Sequence, residues 1–168
     1  MISFRDATPQ DAAMLDRIFN TTFCDTFAHL YRREDLDAFL DSFGIEDWEA
    51  DLRNPAYAFR VGQFEGEPIA YLKLGPQKLP VDTERPSMVL DQLYVSKEHQ
   101  GEGIAQSLAQ WAFAEARSRG AEELYLTVYV DNHRARRFYD RHGFKAVGKY
   151  DFMVGNHADE DIIMRKIL

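Results

Sequence analysis

Apolar and polar positions change period several times along this chain, and each change marks an element. Met1–Arg5 suits a short first strand. Thr8 stands before Pro9 with Asp11 following, which reads as an N-cap with proline at the first helical position. Ala12, Leu15, Phe19 and Phe23 then recur at roughly helical spacing, predicting a helix to about Thr22. Further helices are predicted over Glu34–Ser42, stopped by Gly44, and over Glu46–Leu52. After Pro55 the period becomes that of strands. Tyr57–Phe64 and Pro68–Leu74 flank Glu65-Gly66-Glu67, a short glycine turn that predicts an antiparallel hairpin. Lys78–Pro86, with prolines at 80 and 86, reads as a surface loop, and Ser87–Val95 as a strand.

The C-terminal half is patterned more sharply. Ile104, Leu108, Trp111 and Ala112 share one face of a helix predicted over Gly103–Arg119, and Gly120 ends it. A strand follows over Glu123–Val130, then a short helix over Asn132–Arg141 ending at Gly143. Phe144–Val154 and Asp161–Leu168 read as strands joined by a polar loop, Gly155–Glu160. The order strand, helices, hairpin, strand, helix, strand, helix, strand, strand fits one α/β domain over residues 1–168, a mixed sheet with helices on both faces.

Composition narrows the function classes. The 168 residues are 45% hydrophobic and 29% charged, which excludes a disordered or collagen-like chain. Apolar runs such as Trp111–Ala114 are too short to span a membrane, so no membrane partner is expected. Met1–Ala13 carries Arg5, Asp6 and Asp11 and no apolar segment of the kind a secretory signal needs. Cys24 is the lone cysteine, which excludes an internal disulfide and a multi-cysteine zinc site and fits a cytoplasmic location. Twenty Lys and Arg against 28 Asp and Glu leave a net charge of −8. Such a chain repels nucleic acid at long range and attracts cationic small molecules, polyamines among them.

Gln100-Gly101-Glu102-Gly103-Ile104-Ala105 lies between a predicted strand and a predicted helix. Small residues there let the backbone fold closely around an anion, with N–H groups and the helix dipole aimed at it. A tight turn without a ligand explains the same glycines. The P-loop pattern is absent, and Gln106 stands where a dinucleotide fingerprint places its third glycine. Downstream, Asn132 is suited to cap a helix on which Ala135, Phe138 and Tyr139 share an inward face. Tyr139 then either presents its hydroxyl to a site or is a core tyrosine with a satisfied hydroxyl.

Taken together, Gln100-x-x-Gly103-x-Ala105 after Leu93-Tyr94-Val95, then Asn132 and Ala135-x-x-Phe138-Tyr139-x-x-x-Gly143-Phe144, closely resemble the GNAT superfamily of acetyl-CoA-dependent N-acetyltransferases. The resemblance covers essentially the whole chain. It implies a mostly antiparallel central sheet of about seven strands, and acetyl-CoA as acetyl donor with no metal. Backbone N–H groups of Gln100, Gly101, Glu102, Gly103, Ile104, Ala105 and Gln106 would hold the pyrophosphate. Leu93, Tyr94 and Val95 would pair with the pantetheine arm like an added strand, one N–H polarising the thioester carbonyl. Asn132 would hold the cofactor arm or the local splay of the strands, Ala135 would join the cofactor site, and Tyr139 matches the position that protonates the departing thiolate. Arg134, Arg136, Arg137 and Arg141 either meet the 3′-phosphate or form a solvated helix face.

An alkyl amine is almost wholly protonated at pH 7, so something must take its proton before attack. Many members of the superfamily use a Glu on the central strand, and Val89 stands near that place here. Asp91, two residues on, is the candidate general base or water holder; a charge partner is the other reading. The histidines show no metal-ligand spacing, and Cys24 lies away from the motifs, so direct transfer without an acyl-enzyme is expected. Phe23, Thr26, Phe27, Tyr31 and Trp48 offer an aromatic wall over the acceptor or the packing of short helices. Asn20-Thr21-Thr22-Phe23 and the C-terminal Tyr150-Asp151-Phe152-Met153 with Asp161-Ile162-Ile163-Met164 resemble the spermidine/spermine branch. That branch implies a polyamine or similar small amine as substrate, with peptide N-termini and antibiotic amines as alternatives. A non-catalytic acyl-CoA sensor is the reading from another class. The strand edges of the C-terminal half offer a surface for a homodimer, though no residue demands one.

Overall fold

In the computed structural model, which describes residues 1–168, seven strands make one sheet in the order β1-β2-β3-β4-β5-β7-β6. They are β1 (Ile2–Asp6), β2 (Ala58–Phe64), β3 (Glu67–Pro76), β4 (Ser87–Val95), β5 (Glu123–Tyr129), β6 (Lys145–Val154) and β7 (His157–Ile167). All neighbours run antiparallel except β4 and β5. The α/β class, the single layered domain and the mostly antiparallel sheet are those expected from the sequence.

Helices α1 (Ala12–Phe27), α2 (Arg33–Asp41) and α3 (Ile45–Arg53) cover one face, and α4 (Ile104–Ser118) and α5 (His133–Arg141) the other. The α4 side buries Leu72, Leu74, Leu90, Leu108, Phe113 and Leu126. The α1 side buries Leu15, Phe19, Phe23, Trp48, Val61 and Tyr71. Helix α1 runs past Thr22 to Phe27. Two threonines permit this, since Thr22 donates to the Ile18 carbonyl at 2.6 Å and Thr26 to the Thr22 carbonyl at 2.9 Å. Their hydroxyls are satisfied within the helix and do not compete with its backbone.

The polar loop expected over Gly155–Glu160 is instead a tight hairpin. Val154 pairs with His157 across a Gly155-Asn156 turn, and β7 begins at His157. Gly-Asn is a two-residue turn signal, and Gly155 takes the positive φ it requires, +57°. Because His157–Glu160 is strand, Asp159 and Asp161 lie on one face of β7.

Two irregularities shape the centre. The β3–β4 register shifts between Lys73 and Leu74, leaving Asp91 without a partner. Leu90 packs on the α4 side, as do Leu93 and Val95, so the alternation slips by one residue at this bulge. Further, β4 pairs with β5 only from Ser87 to Val89. Beyond Val89 the two strands part, opening a gap through the middle of the sheet.

Candidate active site

A cavity of about 620 Å³ occupies that gap. Its floor is the unpaired edge of β4, Leu90–Val95, facing Thr127, Val128 and Tyr129 of β5. Leu93 and Val95 belong to the α4 side of the sheet and Tyr94 to the α1 side, so the cavity has an end on each face.

The α4-side end is a loop built for an anion. Gly101 and Gly103 take φ +87° and +81°, left-handed conformations that carry no Cβ penalty only in glycine. None of the N–H groups from Gly101 to Gln106 has a hydrogen-bond acceptor within the protein. The turn thus presents a run of free donors at the start of α4, where the helix dipole adds to them. Gln100 braces the loop, its amide donating to the Val95 carbonyl at 3.2 Å while its side-chain oxygen accepts from Arg134. Gln100, Gly101, Gly103, Ile104, Ala105 and Gln106 all line the cavity. Glu102 does not; its carboxylate turns to His99, 3.1 Å away.

Asn132 caps α5, its side-chain oxygen accepting from the Ala135 N–H at 3.3 Å. Asn132, Ala135 and Tyr139 also line the cavity. Tyr139 is packed against Phe138 and Phe144, and burial raises its pKa well above the ordinary phenol value. Its hydroxyl therefore keeps its proton across the working range. The arginines divide: Arg134 and Arg141 reach the cavity, whereas Arg136 donates to the Val130 carbonyl at 2.8 Å.

Asp91 borders the cavity, but Lys78 donates to it at 2.5 Å and Lys73 lies 3.6 Å from its other oxygen. Lys73 is itself 4% exposed, bridged to Asp51 at 2.7 Å among the rings of Phe43, Trp48, Tyr57 and Phe59. Asp91 keeps the Val89 face of β4, as the two-residue spacing expects, but the lysines beside it make it a charge partner there. Of the expected aromatic wall, Phe23, Thr26, Phe27 and Tyr31 reach the cavity. Trp48 is fully buried in the core and donates its indole N–H to Asp16 at 3.1 Å.

The α1-side end joins expected aromatic side chains to buried acids of β7 that the motifs left unnoticed. Asp25, Asp159 and Asp161 converge there with Phe27, Tyr31, Tyr129 and Phe152. Asp159 and Asp161 are 5% and 6% exposed. The Tyr31 hydroxyl donates to Asp159, and His157 Nε2 lies 3.1 Å from its other oxygen. Burial, and then the Asp159 charge, push Asp161 up to about 7, against a smaller lowering by the Thr127 hydroxyl. Burial and the same carboxylates raise Tyr31 as well. The spacing of Asp159, Asp161 and Ile163 along one strand face was the signal available in the sequence.

A mixed sheet whose central strands part beside a glycine turn with free N–H groups defines a class of acyl-CoA-using transferases. The chain matches the Acetyltransferase (GNAT) family over residues 18–144 and belongs to it. It is 27% identical over 153 residues to an uncharacterized N-acetyltransferase of Lactobacillus delbrueckii subsp. lactis, spanning 90% of this chain and 88% of that one. Its fold is that of the PaiA N-acetyltransferase of Thermoplasma acidophilum, solved in complex with coenzyme A (TM-score 0.79, 20% identity, 100% and 99% of the two chains). It is also that of the ribosomal-protein-alanine N-acetyltransferase of Brucella melitensis (TM-score 0.70, 24% identity, 99% of each chain). The protein is thus an acetyl-CoA-dependent N-acetyltransferase. No helix is long and apolar enough to cross a membrane.

Proposed function

We propose that the acetyl group passes to the primary amine of a peptide N-terminus or of an antibiotic-like acceptor, with the donor entering from the α4 side and the amine from the α1 side. The observation that carries this reading is the α1-side end, where buried carboxylates meet an aromatic wall of Phe27, Tyr31, Tyr129 and Phe152. Such a pocket suits an ammonium group attached to a body with apolar surface. The likeness to an enzyme named for a ribosomal-protein alanine supports it. A free polyamine is the second reading, favoured by the acidic groups Asp25, Asp159 and Asp161 and by the net charge of −8.

On the donor side, the free N–H groups of the loop fit a pyrophosphate. The open edge of Leu93, Tyr94 and Val95 fits an extended pantetheine arm, with a backbone N–H at the thioester oxygen. Tyr139 donates a proton to the leaving thiolate. Asn132 holds α5, and with it Tyr139, in place. Asp91, neutralised by its lysines, acts by fixing the β4 bulge.

The test is CoA-thiol release from acetyl-CoA at pH 8 with an alanine-initiated peptide, an aminoglycoside or spermidine as acceptor. Release dependent on the peptide or the aminoglycoside supports the main reading. Release dependent on spermidine alone replaces it with the second.

A further inference from the structure

We infer that Asp161 is the group that takes the proton from the acceptor ammonium, with Asp159 as the carboxylate that holds the ammonium beside it. This deepens the transferase reading above and rests on it.

The placement comes from topology. Strand β7 is inserted between β5 and β6, so Asp161 stands opposite Tyr129 on one side and Tyr150 on the other. That puts it at the edge of the gap where β5 has parted from β4. The groups facing it are Asp159 on its own strand, Thr127 and Tyr129 on β5, Tyr150 on β6, Tyr94 on β4 and Tyr31 ahead of α2. No lysine or arginine is among them. The charge of Asp161 is therefore unneutralised, in contrast to Asp91 with its two lysines.

The pair divides the work. Both Asp159 oxygens are engaged, one by the Tyr31 hydroxyl and the other by His157, which fixes the carboxylate in orientation. Asp161 has the Thr127 hydroxyl beside it and is otherwise turned to the cavity. Tyr94 lines the cavity between β4 and β5 together with Tyr139 and Asp161, so the candidate acid and base share one cleft at the parting of the strands. No group of three or more His, Cys, Asp and Glu side chains is placed to hold a metal ion, so the pair reads as a cation and proton site.

The proton account closes. Asp161 takes one proton from R–NH3⁺, and the free amine forms its N–C bond at the acetyl carbonyl as the C–S bond breaks. The second nitrogen proton replaces the one Tyr139 gives to the thiolate, and Asp161 returns the first to solvent. A carboxylate poised near 7 rather than near 4 eases removal of a proton from an alkylammonium by about a thousandfold.

The experiment pairs rates with a titration. CoA release is followed from pH 5.5 to 9.5 with the alanine-initiated peptide and with spermidine, for wild type, Asp161→Asn and Asp159→Asn. The Asp161 carboxyl carbon is titrated by NMR in the acetyl-CoA-bound protein, its signal assigned by loss in Asp161→Asn. In wild type, kcat/KM rises through a limb near 7. Asp161→Asn loses the limb and about 100-fold or more in kcat at pH 7, recovering as alkali frees the amine, with the acetyl-CoA KM unchanged. Asp159→Asn raises the acceptor KM and moves the limb to lower pH, because the like charge is gone. The inference is overturned if the limb survives in Asp161→Asn, or if the carboxyl titrates below about 5, in the ordinary range. Should wild type bind acetyl-CoA but use neither amine, the acceptor reading fails and the carboxyl titration alone decides on Asp161.

Discussion

At the scale of single residues, the fold raises the proton affinity of two groups that line the cavity, Tyr139 and Asp161. Tyr139 has no role as a proton donor once its hydroxyl is removed. Tyr139→Phe lowers kcat by about 100-fold or more while the acetyl-CoA KM stays within about twofold, read from CoA-release kinetics. Equal rates in mutant and wild type eliminate that role. For Asp161 the stability consequence has the opposite sign to that of a salt-bridged carboxylate. Its pKa is about 7 in the fold against the ordinary 3.8, so the folded state binds the proton first. Stability on its account is highest below about pH 4 and falls as pH rises to about 7. Asp161→Asn removes the penalty. At pH 8 it melts above wild type, by up to about 10 °C for a penalty of about 4 kcal/mol, and the two converge near pH 4. A wild type that melts higher at pH 8 contradicts a buried, uncompensated charge. The family resemblance marked Tyr139, and strand position marked Asp91 as a base or a charge partner; the structure pairs Asp91 with two lysines. Its lysine partners come from β3 and the segment after it, and strand alternation within β4 says nothing of them.

At the scale of elements, the donor loop depends on backbone shape rather than side-chain chemistry. A Cβ on Gly103 meets nothing within 4 Å, so Gly103→Ala tests conformation alone. Its φ of +81° makes an L-residue cost about 1–2 kcal/mol. Coenzyme A binding, measured by titration calorimetry, weakens about tenfold if that strain is relieved by reshaping the loop. Undiminished affinity shows that the N–H cradle tolerates another backbone path. At α5, Asn132→Ala removes the cap on Ala135 and destabilises by about 1 kcal/mol. Because α5 carries Tyr139, kcat falls with it; a thermal shift without a rate change confines Asn132 to the cap. The helices, the first hairpin and the loop were legible because their signals are local: helical spacing, glycine turns, caps. The second hairpin was misread because His157-Ala158-Asp159-Glu160, with three polar residues in four, conceals a strand whose inward face is itself charged.

At the scale of the whole molecule, Lys73 ties the two halves of the α1 side together. It joins Asp51 of α3 to Asp91 of the β4 bulge from a position 4% exposed. Lys73→Ala strands Asp51 in a partly buried, aromatic setting, leaves Asp91 to Lys78 alone, and costs about 3 kcal/mol. Urea unfolding should show that loss as a lower midpoint with an unchanged slope; a shift worth under about 1 kcal/mol would mean Lys78 alone suffices. The sequence by itself determined the order of elements, the layered α/β class, the glycine turn before α4 and the inward face of α5 that carries Tyr139, because each rests on residues close together in the chain. Only the tertiary structure decided where β4 and β5 part, that β7 lies between β5 and β6, and that Asp159 and Asp161 thereby reach the cleft. Strand order and burial are long-range properties. They bury an ordinary carboxylate of a polar segment in the wall of the cleft and raise its pKa.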